Sequence, residues 1–496
     1  MSTRIYPVIH LEESCKDYRV RVNGREVELD TARVSACTLN RRWPGHQRQI
    51  QQTELVNFLS MALDEPVEIE VLPLNAFENV IIRPLDSVEP FEVTEEGWIR
   101  FRIEKPGFYM VEPFGRHHVL HIFADPVKDY NVKEEEEHVI YFGRGVHEAG
   151  TIELHSNETL YIEEGAVVFA SVVAKDAENI RILGRGILDN SHNKEEILYE
   201  AKEENNLAAV NNAIRTHTIQ LEYCSKVEID GITIRDSLVY NIRPIACSDL
   251  KIRDVKIIGC WRYNSDGIDM HNCENVEISG CFIRTFDDCI CVKGFDYLLK
   301  EEDMWRNGKA FTSFRHVHVK DCTIWNDWND CLEIGAETRA DEICDIIFED
   351  CHIIHVTTSV LDCTNVDYAD VHDVTYKNIY VEYDEVVPVP VLQTNDNQVY
   401  ENPNPDYVPR LICGEILYHF EYSADKERRG KIRDFTYENI HLTGRQKPLI
   451  YFKGYDEAHG CRNIVISDLY WNGEKLTEFP EGCLVKGDFC HEIVLK

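Results

Sequence analysis

One short unit recurs along the second half of this chain and leaves few folds open to it. Three alternating residues, a turn and another short strand begin at Val227, Leu250, Val276, Val317, Ile346 and Val374, at intervals of 23, 26, 41, 29 and 28 positions. The long interval holds an insertion, residues 295–314. A strand-only unit of this length cannot bury its apolar face alone and has to stack on copies of itself. The period predicts a parallel β-helix in which each unit is one coil. Leucine-rich repeats have a similar period but need a Leu-x-x-Leu-x-Leu frame, which these units lack. Cysteine follows the coils: Cys224, Cys247 and Cys273 precede three successive strand starts by the same offset, and Cys281, Cys322 and Cys351 share another position. They read as ladders of small buried hydrophobes, not as reactive thiols or metal ligands.

The first part of the chain has a different grammar. Arg19-Val20-Arg21-Val22 runs into Asn23-Gly24, Val67-Glu68-Ile69-Glu70-Val71 alternates with period two, and Ile99-Arg100-Phe101-Arg102-Ile103 precedes Pro106-Gly107. Alternation closed by Asn-Gly or Pro-Gly is hairpin chemistry. It predicts an all-β chain: an N-terminal β-sandwich domain over 1–135, then a right-handed parallel β-helix domain over 136–496, with the acidic run 134–137 as a solvated linker.

Charge narrows the partners. The 52 basic and 88 acidic residues give a formal charge of −36, spread along the chain. Nucleic acid and other polyanions would meet a repulsive field, so none is an expected partner. No stretch approaches the roughly 18 apolar residues of a membrane helix, and no basic segment followed by an apolar run opens the sequence. The chain therefore reads as soluble and cytoplasmic, without membrane contact. Its 18 cysteines, none in a Cys-x-x-Cys pair, read as reduced. A homo-oligomer is compatible with this composition.

Three carboxylates carry the chemistry. Asp266, in Asn264-Ser265-Asp266-Gly267, is followed one coil later by Asp287 and Asp288, which lie between Phe286 and the run Cys289-Ile290-Cys291-Val292. Stacking would set Asp266 beside the pair on neighbouring strands about 4.8 Å apart. Asn/Ser-Asp-Gly alone is turn chemistry, but an acidic pair inside an apolar run serves no packing purpose. Crowded carboxylates cannot all ionise, so one holds a proton near neutral pH while another stays charged. An acid facing a base is the equipment for cleaving a glycosidic bond.

Asn264-Ser265-Asp266-Gly267 with Asp287-Asp288 resembles glycoside hydrolase family 28, the polygalacturonases, and so do Ser156-Asn157 with Gly165-Ala166 and Ile182-Leu183-Gly184-Arg185-Gly186-Ile187-Leu188-Asp189. The resemblance spans about residues 139–380. It implies an inverting hydrolase in which Asp287 is the general acid while Asp266 and Asp288 activate water. That family continues with a His-Gly pair and with an Arg-Ile-Lys segment that holds a galacturonate carboxylate. Here those places read Asn329-Asp330-Cys331-Leu332-Glu333-Ile334-Gly335 and Ser359-Val360-Leu361-Asp362-Cys363-Thr364. A carboxylated sugar would lose its charge-assisted bonds and face repulsion. Thr323-Ile324-Trp325, Asn329-Asp330 and Gly335 instead resemble glycoside hydrolase family 49, the dextranases and isopullulanases, which also carry a β-sandwich ahead of the β-helix. The implied substrate is a neutral α-linked oligo- or polysaccharide, such as a dextran-like glucan. A pectin-type oligogalacturonide and a non-catalytic glycan-binding β-helix are the alternatives.

Further residues are candidates for substrate binding. Trp325 and Trp328 offer faces to sugar rings, Lys293, Arg243 and Arg262 offer donors to hydroxyls, and Asp330 and Glu333 extend the acidic cluster. His316 and His318 share a strand face, but no third ligand is spaced to join them, so neither metal nor other cofactor is expected. The interruptions 193–212, 295–314 and 386–408 fall around the catalytic coils and are expected to wall one end of the groove, which favours exo-action.

Overall fold

The computed structural model describes residues 3–11, 14–41, 50–88, 90–193, 217–296, 299–393, 404, 406–420 and 422–496. The six recurring strand starts become consecutive rungs. Val227 lies beside Leu250, Leu250 beside Val276, and Val317, Ile346 and Val374 follow in turn. Phe435, Ile464 and Ile493 continue the column. Unequal spacing in sequence is absorbed by the turns, because parallel pairing fixes the register of a rung and leaves its connection free. A second interior column runs through Ile219, Ile242, Ile268, Ile290, Leu332, Leu361, Ile412 and Ile450. All eight are buried in one core. Three such ladders, joined in a 29-stranded sheet, make a right-handed parallel β-helix.

Cysteine fills this interior as a small apolar residue. Cys224 and Cys247 stack, with the Cys224 N–H donating to the Cys247 sulfur at 3.3 Å, and all eighteen cysteines are free thiols. Corners of the coil are turned by left-handed residues such as Asp249, Asn275, Asp345, Asp373 and Asn463, with φ between 52 and 58°. Asn and Asp tolerate that region best among residues with a Cβ. Their side chains then bond from rung to rung, as where Asn439 donates to Asn378 and Asn378 to Asp350, both at 2.8 Å.

Two antiparallel-rich sheets of six and five strands precede the coils and enclose their own core, which includes Val20, Ile69, Ile99, Val111 and Ile122. The outer face of the six-stranded sheet is apolar as well. Phe58, Phe108 and Phe123 meet Phe169, Ile258, Phe282 and Trp325 on the outside of the coils. The sandwich is thereby fastened along the coils rather than tethered at one end.

A buried ionic network closes the same interface. Arg83 pairs with Glu112 at 3.0 Å and also with Glu382 and Asp384, while His355 bridges Glu112 at 2.8 Å and Asp384 at 3.0 Å. Burial opposes the charge of His355, but Asp384 and Glu112 raise its pKa; burial opposes the charge of Asp384, but His355 and Arg116 lower its pKa. The His355 contribution is therefore lost as pH rises through that raised value, and the Asp384 contribution is lost on strong acidification. Arg83→Met removes the guanidinium that three carboxylates share and is expected to cost about 3–5 kcal/mol, the scale for breaking a buried pair. Urea denaturation followed at pH 7 checks it; a midpoint equal to wild type would show the network to be idle.

Candidate active site

Asp266 ends the turn into the strand Ile268–His271, and Asp287 and Asp288 lie in the turn before the next rung of that column, Ile290–Lys293. The interior stacking of Ile268 on Ile290 sets this register. The turns themselves are tightly packed. Asn264 takes a left-handed φ of 55°, and a Cβ on Gly267 would stand 2.2 Å from the Cys289 carbonyl oxygen, so only glycine lets the two turns approach. Gly267 N–H then donates to the Asp288 carbonyl at 2.8 Å. Thr285 Oγ1 and Asn326 Nδ2 hold the Asp287 carbonyl at 2.6 and 2.8 Å.

The three aspartates come together as their spacing predicts, all within a buried cluster. Asn329 Nδ2 bridges the pair, donating to Asp287 Oδ1 at 3.2 Å and to Asp288 Oδ1 at 2.6 Å. The backbone N–H of Asn264 donates to Asp287 Oδ2 at 3.2 Å. Lys293 sits on the other side, its Nζ 3.4 Å from Asp288, 3.9 Å from Asp266, 3.7 Å from Asp269 and 3.6 Å from Glu337. One cation therefore faces four carboxylates. Burial, and then the Asp288 charge, push the Asp287 carboxyl up to about 8 despite Lys293 and Asn329. Asp266 is raised well above the usual range by burial and by Asp269, Asp287 and Asp288. Burial works against the Lys293 charge, but Asp269 and Glu337 hold it well above the ordinary lysine value. The cluster thus has a carboxyl protonated at neutral pH next to a carboxylate paired with ammonium, an acid beside a base.

The other sequence candidates divide. Asp330 and Glu333 join the cluster: Asp330 N–H lies 3.4 Å from Asp288 Oδ1, and Cys291 Sγ lies 3.4 Å from Glu333 Oε2. Trp328 stacks on Phe286 at 5.9 Å and keeps part of its surface free. Arg243 is bound to Asp296 at 2.6 Å, and Arg262 to Asp236, so both guanidiniums already have a carboxylate. Trp325 is a correction. It is fully buried against the sandwich, 3.9 Å from the His355 ring and 3.8 Å beneath the Arg284 guanidinium, with Nε1 donating to Asp327 at 2.7 Å. An outward side chain on the strand Thr323–Asn326 faces the N-terminal domain, and alternation in the sequence carries no sign that this face is covered.

Asp269, Glu337 and Asn329 are site residues that the reading of the sequence left out. Parity would have found the first: Asp269 points outward from its rung in line with Cys291, Glu333 and Asp362. Glu333 and Asp362 of that line and Asp330 beside it bring carboxylate oxygens within 4.8 Å of one another. Burial raises all three, so proton sharing relieves their repulsion, and a hard cation would relieve it equally. His316 and His318 instead pair with Asp345 and Glu349 on the surface. Of the interruptions, 194–212 and most of 394–408 lie outside the described residues. The middle one packs Phe295, Leu299, Met304 and Phe311 against Ile245 and Ala246, beside Arg243.

Comparison with known proteins adds the family. The model of glycosyl hydrolases family 28 matches residues 133–405. A probable polygalacturonase of Vitis vinifera is 33% identical over 84 residues, 16% of this chain and 17% of that protein. A polygalacturonase of Gossypium barbadense is 25% identical over 229 residues, 43% of this chain and 53% of that protein. The chain thus spans at most about half the length of these curated relatives. Among solved structures, Dex49A from Penicillium minioluteum matches in fold with a TM-score of 0.66 over 97% of this chain and 94% of its own, at 14% identity.

Proposed function

The chain belongs to glycosyl hydrolases family 28, and on that premise we propose that it is an inverting glycoside hydrolase of neutral α-linked oligo- or polysaccharides. Asp287 delivers the proton to the leaving glycosidic oxygen. Asp288, tied to Lys293 at 3.4 Å, draws the proton from the attacking water, with Asp266 beside it. One observation supports the neutral substrate above the rest: the three cations among the candidate binding residues are already engaged, Lys293 by four carboxylates, Arg243 by Asp296 and Arg262 by Asp236. Beside them stand acceptors. Asp266 Oδ1, Asp330 Oδ1 and both oxygens of Asp269 are buried with no hydrogen-bond donor among the described residues. Sugar hydroxyls supply donors to such atoms, whereas a uronate would add charge to them.

A polygalacturonase reading has its own support in the relatives of that name. Arg410, whose Nη1 donates to the Cys413 sulfur at 3.4 Å, would then be the group to hold a uronate. A cytoplasmic setting is also part of the proposal, supported by eighteen free thiols. A release assay against dextran, other α-glucans, α-galactosides, fructans and oligogalacturonides separates the two substrates. Products from a neutral member are expected, with the anomeric centre inverted in the first proton NMR spectra. Release from oligogalacturonides alone, lost in Arg410→Ala, would replace the neutral reading by the second.

A further inference from the structure

A cavity of about 540 Å³ lies between the sandwich and the first coils and has no part in the chemistry above. Thr31, Ala32 and Arg33 line it from the sandwich, and Phe169, His192 and Arg235 from the coils. His192 lies flat on Phe169, ring centroids 3.6 Å apart and 5° from parallel, with about half of its own side chain exposed. Glu148 fixes that ring at 2.9 Å. Arg235 is buried and spends Nε on Asp189 at 2.6 Å and Nη1 on the Thr31 carbonyl at 3.4 Å, while its Nη2 has no hydrogen-bond partner among the described residues. A flat ring face beside an unspent planar donor is how a protein holds a pyranose: the apolar face stacks and the hydroxyls bond.

The register places this cavity on the catalytic edge of the coil. Asp189 lies beside Arg235 and Arg235 beside Ile258, and the strand of the next rung, Phe282–Thr285, runs into the turn that holds Asp287. Three rungs at about 4.8 Å each separate Asp189 from the catalytic turn. That is the reach of a short oligosaccharide, beyond the two sugars that flank a cleaved bond. Asp236, which also lines the cavity, holds Arg262 of the intervening turn.

We propose that the cavity is a distal sugar-binding subsite, shared by the sandwich and the coils, that receives a remote unit of a neutral glycan chain. It rests on the hydrolase reading for its polarity, since the chain would run from here to Asp287. It also gives the N-terminal sandwich a share in recognition.

The test is a printed array of α-glucan, α-galactoside, fructan and oligogalacturonide series, two to six units long, probed with Asp287→Asn protein alone or combined with His192→Ala or Arg33→Ala. Retention on one neutral series is expected to rise at least about 10-fold from the disaccharide to the longest member, the scale of about 1.4 kcal/mol. His192→Ala and Arg33→Ala should each abolish most of that gain while leaving the melting temperature intact. Length dependence untouched by both variants, or no binding to any neutral series, overturns the subsite. Length-dependent binding that both variants remove, together with no hydrolysis by wild type, would keep the subsite and remove the hydrolase reading instead.

Discussion

Asp287→Asn is expected to lower kcat on the cleaved glycan by about 10²- to 10⁴-fold, the share of a positioned general acid. The pH profile discriminates this role from a structural one. Because burial and the Asp288 charge push Asp287 up to about 8, wild-type activity should fall as pH rises through that value, where the acid loses its proton. The residual activity of the variant should lack that limb. Stability supplies a second readout of opposite sign. A carboxyl whose folded pKa is raised contributes stability that is present below its unfolded pKa, near 4, and lost as pH climbs toward about 8. Asparagine has no proton to lose. The melting temperature of the variant relative to wild type should therefore improve steadily between pH 4 and pH 8. Equal slopes in the two proteins, with kcat unchanged, would remove Asp287 from the acid role.

The fold was legible because its signal is written in short-range alternation repeated at a fixed period. Val227 through Val374 announce their own stacking, and every rung among them pairs as the period requires. The aspartate cluster was legible for the same reason, since one coil of separation is contact in space. What the sequence hid lies where two parts of the chain meet without periodicity. Trp325 looks like a groove tryptophan beside Asn329 and Asp330, yet it is covered by a sheet from two hundred residues upstream, whose Phe58, Phe108 and Phe123 follow only their own alternation. Arg243 and Arg262 look like free donors until Asp296 and Asp236 are brought to them by turns of unpredictable path. Asp269 was within reach of parity alone.

Lys293→Met tests the electrostatic design of the cluster more severely than any carboxylate change. The ammonium is the charge that Asp266, Asp269, Asp288 and Glu337 share at 3.4 to 3.9 Å, and its side chain is 5% exposed. Removing it leaves buried carboxylates with no counter-charge, expected to cost about 3–5 kcal/mol of stability. The protein has one way to reduce that cost, which is to bind protons. Lys293 lowers the pKa of Asp287, Asp266 and Glu337, so each should titrate at higher pH without it. The consequence for catalysis is specific. Asp287 keeps its proton, but the water-activating side of the cluster loses its counter-charge, so activity near neutral pH collapses and returns in part at alkaline pH. The stability deficit should run the other way and widen as pH rises, since alkali forces the stranded carboxylates to ionise. Lys293→Arg keeps the charge and should hold the pH optimum near wild type even where a bulkier guanidinium lowers kcat. A Met variant that loses activity evenly at every pH would mean that Lys293 contributes packing and no charge control, and the acid–base division among the three aspartates would then need another cause.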